Sequence, residues 1–144
     1  MSDFLLDTNI LSELMRPRPE AKVTTWIAAQ DINTLFLSVV TIGELESGFT
    51  TTPDPTRRVR LEESLERHLK QLFPGRVLPV TESIAKRWGK LDGTRQSAGR
   101  PLSAPDGMIA ATALEHGLIV VTRNVRDFAN LGLTIFDPWD ARSS

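Results

Sequence analysis

The segment Leu118-Ile119-Val120-Val121-Thr122 constrains the fold more than any other. It is an uninterrupted apolar, largely β-branched run with no polar alternation. Such a run reads as a strand buried on both faces, which is the signature of a parallel sheet covered by helices on each side. Leu35-Phe36-Leu37-Ser38-Val39 has the same character, and Phe4-Leu5-Leu6 is a shorter version. Val77-Leu78-Pro79-Val80 reads as a strand near a sheet edge, because Pro79 cannot donate to a ladder. Thr134-Ile135-Phe136 reads as a last short strand.

Helical segments alternate with these runs. Thr8 or Asn9 can cap a helix anchored by Ile10, Leu11 and Leu14, which Arg16-Pro17-Arg18-Pro19 ends. Pro19 suits the first turn of a second helix, about Glu20 to Gln30, with Val23, Trp26 and Ile27 on one face. Thr41-Ile42-Gly43-Glu44 opens a third. After a loop at Thr50 to Thr56, Leu61, Leu65, Leu69 and Leu72 repeat at helical spacing and predict a long helix from Arg57 to Phe73. Thr81 caps the next, which carries Ile84, Trp88 and Leu91. Ser97 to Pro105 reads as a loop, Asp106 to His116 as a helix closed by Gly117, and Val125 to Asn130 as a short turn or helix. Strands alternating with helices predict an α/β fold with a mostly parallel sheet and helices on both faces. With 144 residues and no linker or repeat, one domain over residues 1–144 is the simplest organisation.

Composition narrows the chemistry. The chain is 40% hydrophobic and 24% charged, as in ordinary globular proteins. It has no cysteine, which excludes disulfides, thiolate zinc sites and a cysteine nucleophile and fits a reducing cytoplasm. The N-terminal MSDFLLDTN lacks the basic and apolar regions of a secretory signal, and no apolar run is long enough to span a membrane, so a cytoplasmic location without membrane contact is expected. A net charge of −1 gives no overall attraction to nucleic acid.

Ligands of such sheets bind outside the carboxyl ends of the strands, where helix N-termini also lie. Asp7, Glu44, Asp106 and Asn124, with Asp127 behind, all map to that edge. Each has a structural alternative. Asp7 could cap a helix, and Thr41–Glu44 and Ser103–Asp106 have the form of capping boxes. Asn124 and Asp127 could organise a turn. The joint pattern is harder to explain structurally. Two carboxylates about 4 Å apart repel by about 1 to 4 kcal/mol, and a group of them raises its own pKa values or takes up a cation. Oxygen ligands favour Mg²⁺ or Mn²⁺, whose commonest service is phosphate chemistry. His68, within the long helix, and His116, in a last turn, read as structural.

Four motifs in order, FLLDTNILSE at Phe4–Glu13, TIGELESG at Thr41–Gly48, DGMIAATA at Asp106–Ala113 and VTRNVRDF at Val121–Phe128, resemble the PIN-domain ribonucleases. Within them the chain resembles the VapC-type toxins of toxin–antitoxin modules, including the FitB-like branch. The resemblance implies a three-layer α/β/α sandwich with a five-stranded sheet and an Mg²⁺- or Mn²⁺-dependent endoribonuclease. It implies Asp7, Glu44 and Asp106 as matches to the three acids of the family, with Asp7 and Asp106 touching metal. Asn124 stands where many members carry a fourth acid, so Asp127 is its substitute or its support. Thr8, Asn9 and Thr122 match polar residues that orient acids or water. The implied partners are RNA, a homodimer mate and an antitoxin, through which alone operator DNA would be reached. Arg95, Arg100 and Arg123 are the preferred RNA contacts, the Arg57–Arg60 group reading as a solvated helix face. Trp26, Phe49 and Trp88 are either core or partner contacts. Two other functions remain: a weakly active binding subunit of a DNA-bound autoregulatory complex, and a structure-specific DNA nuclease.

Overall fold

The computed structural model describes residues 2–140. In chain order the elements are β1 (Phe4–Leu6), α1 (Thr8–Leu14), α2 (Ala21–Ala29), a 3₁₀ turn (Ile32–Thr34), β2 (Leu35–Ser38), α3 (Val39–Thr50) and α4 (Pro55–Leu72). They continue with β3 (Val77–Leu78), α5 (Glu82–Ser97), α6 (Ala104–His116), β4 (Ile119–Val121), α7 (Val125–Phe128) and β5 (Ile135–Phe136). The five strands form one sheet in the order β3-β2-β1-β4-β5, and every pairing is parallel. β3, with Pro79 just beyond it, is an edge strand as its proline requires.

Strand residues alternate between two cores. Leu6, Leu35, Leu37 and Val121 face one, which α1 to α4 cover with Ile10, Leu11, Val23, Phe49 and Leu65. Leu5, Phe36 and Val120 face the other, closed by Ile109, Ala110 and Ala113 of α6 and by Phe128 of α7. This is why the strand sequences are apolar without alternation: both faces of the sheet are buried, giving a three-layer α/β/α sandwich. Phe49 belongs to the first core, and Trp26 packs against it, with its ring centroid 5.0 Å from that of Phe4 and 5.1 Å from that of Phe136. Trp88 lies against Gly107 of α6.

Several element boundaries differ from the sequence expectation, each for a local reason. α3 starts at Val39, because Ser38 takes an extended conformation and its Oγ accepts from Val40 N at 3.1 Å. Thr41–Glu44 is therefore not a capping box, and Glu44 sits in the second turn. Asp7, rather than Thr8 or Asn9, caps α1. Glu20 is the N-cap of α2, which leaves Pro19 just outside the helix. α4 begins at Pro55, capped by Asp54, because proline is well suited to the first helical position. Ser103 caps α6, which begins at Ala104, two residues before Asp106. No helix among the described residues is long and apolar enough to cross a membrane.

Candidate active site

In the order β3-β2-β1-β4-β5 the chain builds outward from β1 in one direction and then returns to build from its other side. The reversal falls between β1 and β4, and open α/β sheets hold ligands in the crevice at such a point. Asp7 follows the last residue of β1, and Thr122 follows the last residue of β4, so the two flank the crevice.

Asp7 is only 3% exposed and Thr122 is fully buried. Asp7 Oδ1 accepts from Thr8 N at 2.8 Å. Its Oδ2 accepts from Thr122 Oγ1 at 2.7 Å and from Asn9 Nδ2 at 3.3 Å. Thr122 Oγ1 in turn accepts from Asn9 Nδ2 at 3.2 Å and from Asn124 N at 2.9 Å. One threonine hydroxyl thus ties the ends of two strands to the start of α1 and to the turn before α7. Glu44 reaches the crevice from α3, where its Oε1 accepts from Thr8 Oγ1 at 2.6 Å. Thr8 Oγ1 also lies 3.0 Å from Thr41 Oγ1. Asp106 comes from the first turn of α6, its backbone N donating to Ser103 Oγ at 3.3 Å.

Asp7, Thr8, Asn9, Ser12, Glu44, Asp106 and Asn124 line one open cleft of about 250 Å³. Asp127 is exposed and does not line it, but its charge acts on Asp106. The electrostatics are those of crowded acids. Burial, above all, pushes the Asp7 carboxyl from 3.8 to about 6; bonds from Thr122 and Thr8 oppose the shift, and the charges of Asp106 and Glu44 add to it. The Asp106 carboxyl is also raised, first by burial and then by Asp127 and Glu44, with Ser103 opposing.

The acids offer only oxygen, and the charged forms of Asp7 and Asp106 are disfavoured by burial and by the neighbouring acids. A hard divalent cation would relieve both effects, so the residues fit Mg²⁺ or Mn²⁺. Among the described residues no three acids are grouped to hold one ion together. An ion here would use one or two carboxylates and keep several waters, which is the usual habit of Mg²⁺.

The three arginines expected to contact RNA lie outside the cleft lining. Arg95 donates Nε to Arg100 O at 2.9 Å and Nη1 to Ala129 O at 3.2 Å, so its guanidinium braces two loops. Arg100 is exposed, and the Arg123 guanidinium sits 5.2 Å from the Trp139 ring centroid. His68 Nδ1 is 2.8 Å from Ser64 O within its own helix and His116 ends α6, so neither lines the cleft. Sequence reasoning missed Ser12 and Thr41. Ser12 lies one helical turn beyond Thr8, and that i,i+4 relation was the available signal.

An α/β/α domain with acids gathered at the reversal point of a 3-2-1-4-5 sheet defines a class, and residues 4–132 match the PIN domain family, to which this chain belongs. Among relatives, it is 38% identical to "VapC ribonuclease Y4jK" of Sinorhizobium fredii, over 94% of this chain and 97% of that protein. It is 36% identical to "Toxin FitB" of Neisseria gonorrhoeae, with the same coverages. The crystal structure of FitAcB from Neisseria gonorrhoeae matches with a TM-score of 0.85 at 35% identity, covering 94% of this chain and 98% of that one.

Proposed function

We propose that this chain is the metal-dependent endoribonuclease toxin of a VapC-type toxin–antitoxin pair. The observation that carries the reading is the near-complete burial of Asp7, with a raised pKa, in one cleft with Glu44 and Asp106. Relatives named as VapC ribonuclease and FitB toxin over nearly the full length support the substrate class and the toxin role, and the antitoxin partner follows from that role.

Asp7 and Asp106 would hold Mg²⁺ or Mn²⁺, with Glu44 beside them. When bound, the cation would supply Lewis-acid activation of water and neutralise charge on the phosphate. The chain's own residues set the geometry. Thr122 and Asn9 fix Asp7, and Thr8 fixes one oxygen of Glu44 and leaves the other for water or phosphate. Asn124 adds a neutral donor or acceptor at the rim, and Asp127 tunes Asp106 through its charge. Water adds to phosphorus in line, the bond from phosphorus to the 3′ oxygen breaks, and that oxygen takes a proton. The products carry 5′-phosphate and 3′-hydroxyl ends.

The test is cleavage of total RNA by the purified, antitoxin-free chain in Mn²⁺ or Mg²⁺ against EDTA, with Asp7→Asn alongside and the product ends mapped. Metal-dependent cuts that vanish in the variant are expected. A 2′,3′-cyclic phosphate product would overturn the mechanism. The lack of a three-acid group among the described residues favours one second reading, a binding subunit that joins an antitoxin with little turnover of its own. No RNA cleavage together with no calorimetric Mn²⁺ binding would decide for it.

A further inference from the structure

Beside the acid cleft runs a groove of about 660 Å³ between α4 and the helices α1 and α3. Arg16, Arg57, Arg60 and Arg67 line it, and no acidic residue does. In a chain of net charge −1 this is a concentrated patch of one sign. Arg57, Arg60 and Arg67 are exposed and make no hydrogen bond or ion pair with a described residue, whereas Arg16 pairs with Glu13 at 3.4 Å. The three fall at i, i+3 and i+10 on α4 and so share one face of the helix, spanning about 15 Å at 1.5 Å per residue. Ser12 lines both this groove and the acid cleft, so the two are continuous. On the other side of Arg67, Glu46, Glu62, Glu63 and Glu66 form a patch that repels a polyanion and confines its path to the groove.

We infer that this groove is the track that holds the RNA strand on one side of the bond to be cut, with Arg57, Arg60 and Arg67 taking its phosphates. The inference rests on the ribonuclease reading above and adds to it where the strand lies. Guanidinium groups suit this task because they stay charged and match phosphate oxygens two at a time. Contacts of this kind set position without reading sequence. The apolar floor, which includes Leu45 and Phe49, gives the bases or riboses a surface to rest on. An amphipathic acidic peptide is the other occupant such a groove could take. Continuity with the acids through Ser12 favours the strand, because a chain of phosphates held by these arginines runs directly to the cleft.

The test compares the parent with Arg57→Gln/Arg60→Gln/Arg67→Gln and with the matching triple lysine variant. Binding of a labelled oligoribonucleotide of mixed sequence is read by fluorescence anisotropy in EDTA across a salt series. Cleavage of total RNA is read in Mn²⁺. Single-strand binding loses about 0.7 in log–log salt slope per phosphate contact, so the glutamine variant should lose about 2 while the lysine variant keeps the parent slope. In cleavage the glutamine variant should show a raised KM, with kcat at saturating RNA preserved. Parent-like slope and KM in the glutamine variant would overturn the proposal. So would an unchanged RNA response with lost affinity for an acidic amphipathic peptide, which would give the groove to a protein partner. A parent that binds RNA with this slope but cuts none would sink the nuclease reading and leave the track standing.

Discussion

Replacing Asp7 with Asn should stabilise the metal-free protein at neutral pH while abolishing cleavage. The Asp7 pKa is about 6 in the folded chain against an ordinary 3.8. Between those values the folded state binds more protons than the unfolded state, so stability falls as pH rises through the window and levels off above about pH 6. A difference of about 2 units at 1.36 kcal/mol each makes the ionised carboxylate cost about 3 kcal/mol at pH 7. Asparagine is as good a helix cap as aspartate and carries no charge. It offers one acceptor and one amino group, however, where three donors converge: Thr8 N, Thr122 Oγ1 and Asn9 Nδ2. That mismatch costs about 1 kcal/mol. The net gain is about 2 kcal/mol, or roughly 4–8 °C in Tm for a chain of this size. Melting in EDTA at steps from pH 4 to pH 7.5 should show the variant going from slightly less stable than the parent, where only the mismatch counts, to about 2 kcal/mol more stable. Asp106 titrates in both proteins, so the difference reports Asp7 together with its coupling to Asp106. Saturating Mn²⁺ should raise the parent by about 3 kcal/mol at a hundred times Kd and leave the variant nearly unmoved. An Asn variant no more stable than the parent at pH 7.5 in EDTA would refute the argument that Asp7 is held at a cost.

Two further substitutions probe the supports of the site. Thr122→Val keeps the side-chain shape but removes the hydroxyl that bonds Asp7, Asn9 and Asn124, so urea unfolding should show a loss of about 2 kcal/mol. Without that bond the Asp7 pKa should climb further, moving the acidic limb of the pH–rate profile to higher pH. Gly107→Ala would place a Cβ 2.6 Å from Trp88 Cδ1 and 2.7 Å from its Nε1. It should cost about 1–3 kcal/mol by overpacking and displace Asp106 next to it, seen as a lower Tm and weaker Mn²⁺ binding by calorimetry.

The fold was legible because its physics is written locally. Leu5 and Leu6 are adjacent and both fully buried, one on each face of the sheet, as a strand covered on both sides requires. Boundaries were less legible where one residue serves two elements. Ser38-Val39 reads as the end of a strand, yet Ser38 caps the helix and Val39 opens its first turn. Tertiary context outweighed β propensity there. In the site, Asp7, Asp106 and Asn124 could be placed at one edge from topology alone. The links of Thr8 to Glu44 and Thr41 could not, since they join residues 36 and 33 positions apart through the packing of α1 on α3. The arginines could not be sorted either. Charge in sequence does not say that Arg95 is spent on two carbonyl groups while Arg57, Arg60 and Arg67 lie over a groove with no partner among the described residues.

The structure also decides what the capping alternative for Asp7 can explain. Asp7 does cap α1, its Oδ1 accepting from Thr8 N. A cap, however, asks only for an acceptor, and Asn or Ser serves as well. What a cap does not require is a carboxylate buried to 3% exposure between two strands, facing Glu44 and Asp106, with its ionisation opposed by all three circumstances. Capping therefore accounts for the hydrogen bond and leaves the charge unexplained. A counter-charge drawn into the cleft accounts for both, because it converts the mutual repulsion of the acids into attraction for a shared ion. Thr122 and Thr8 fit the same account. Each donates its hydroxyl proton to a carboxylate oxygen, orienting Asp7 and Glu44 at the place where a cation would meet them.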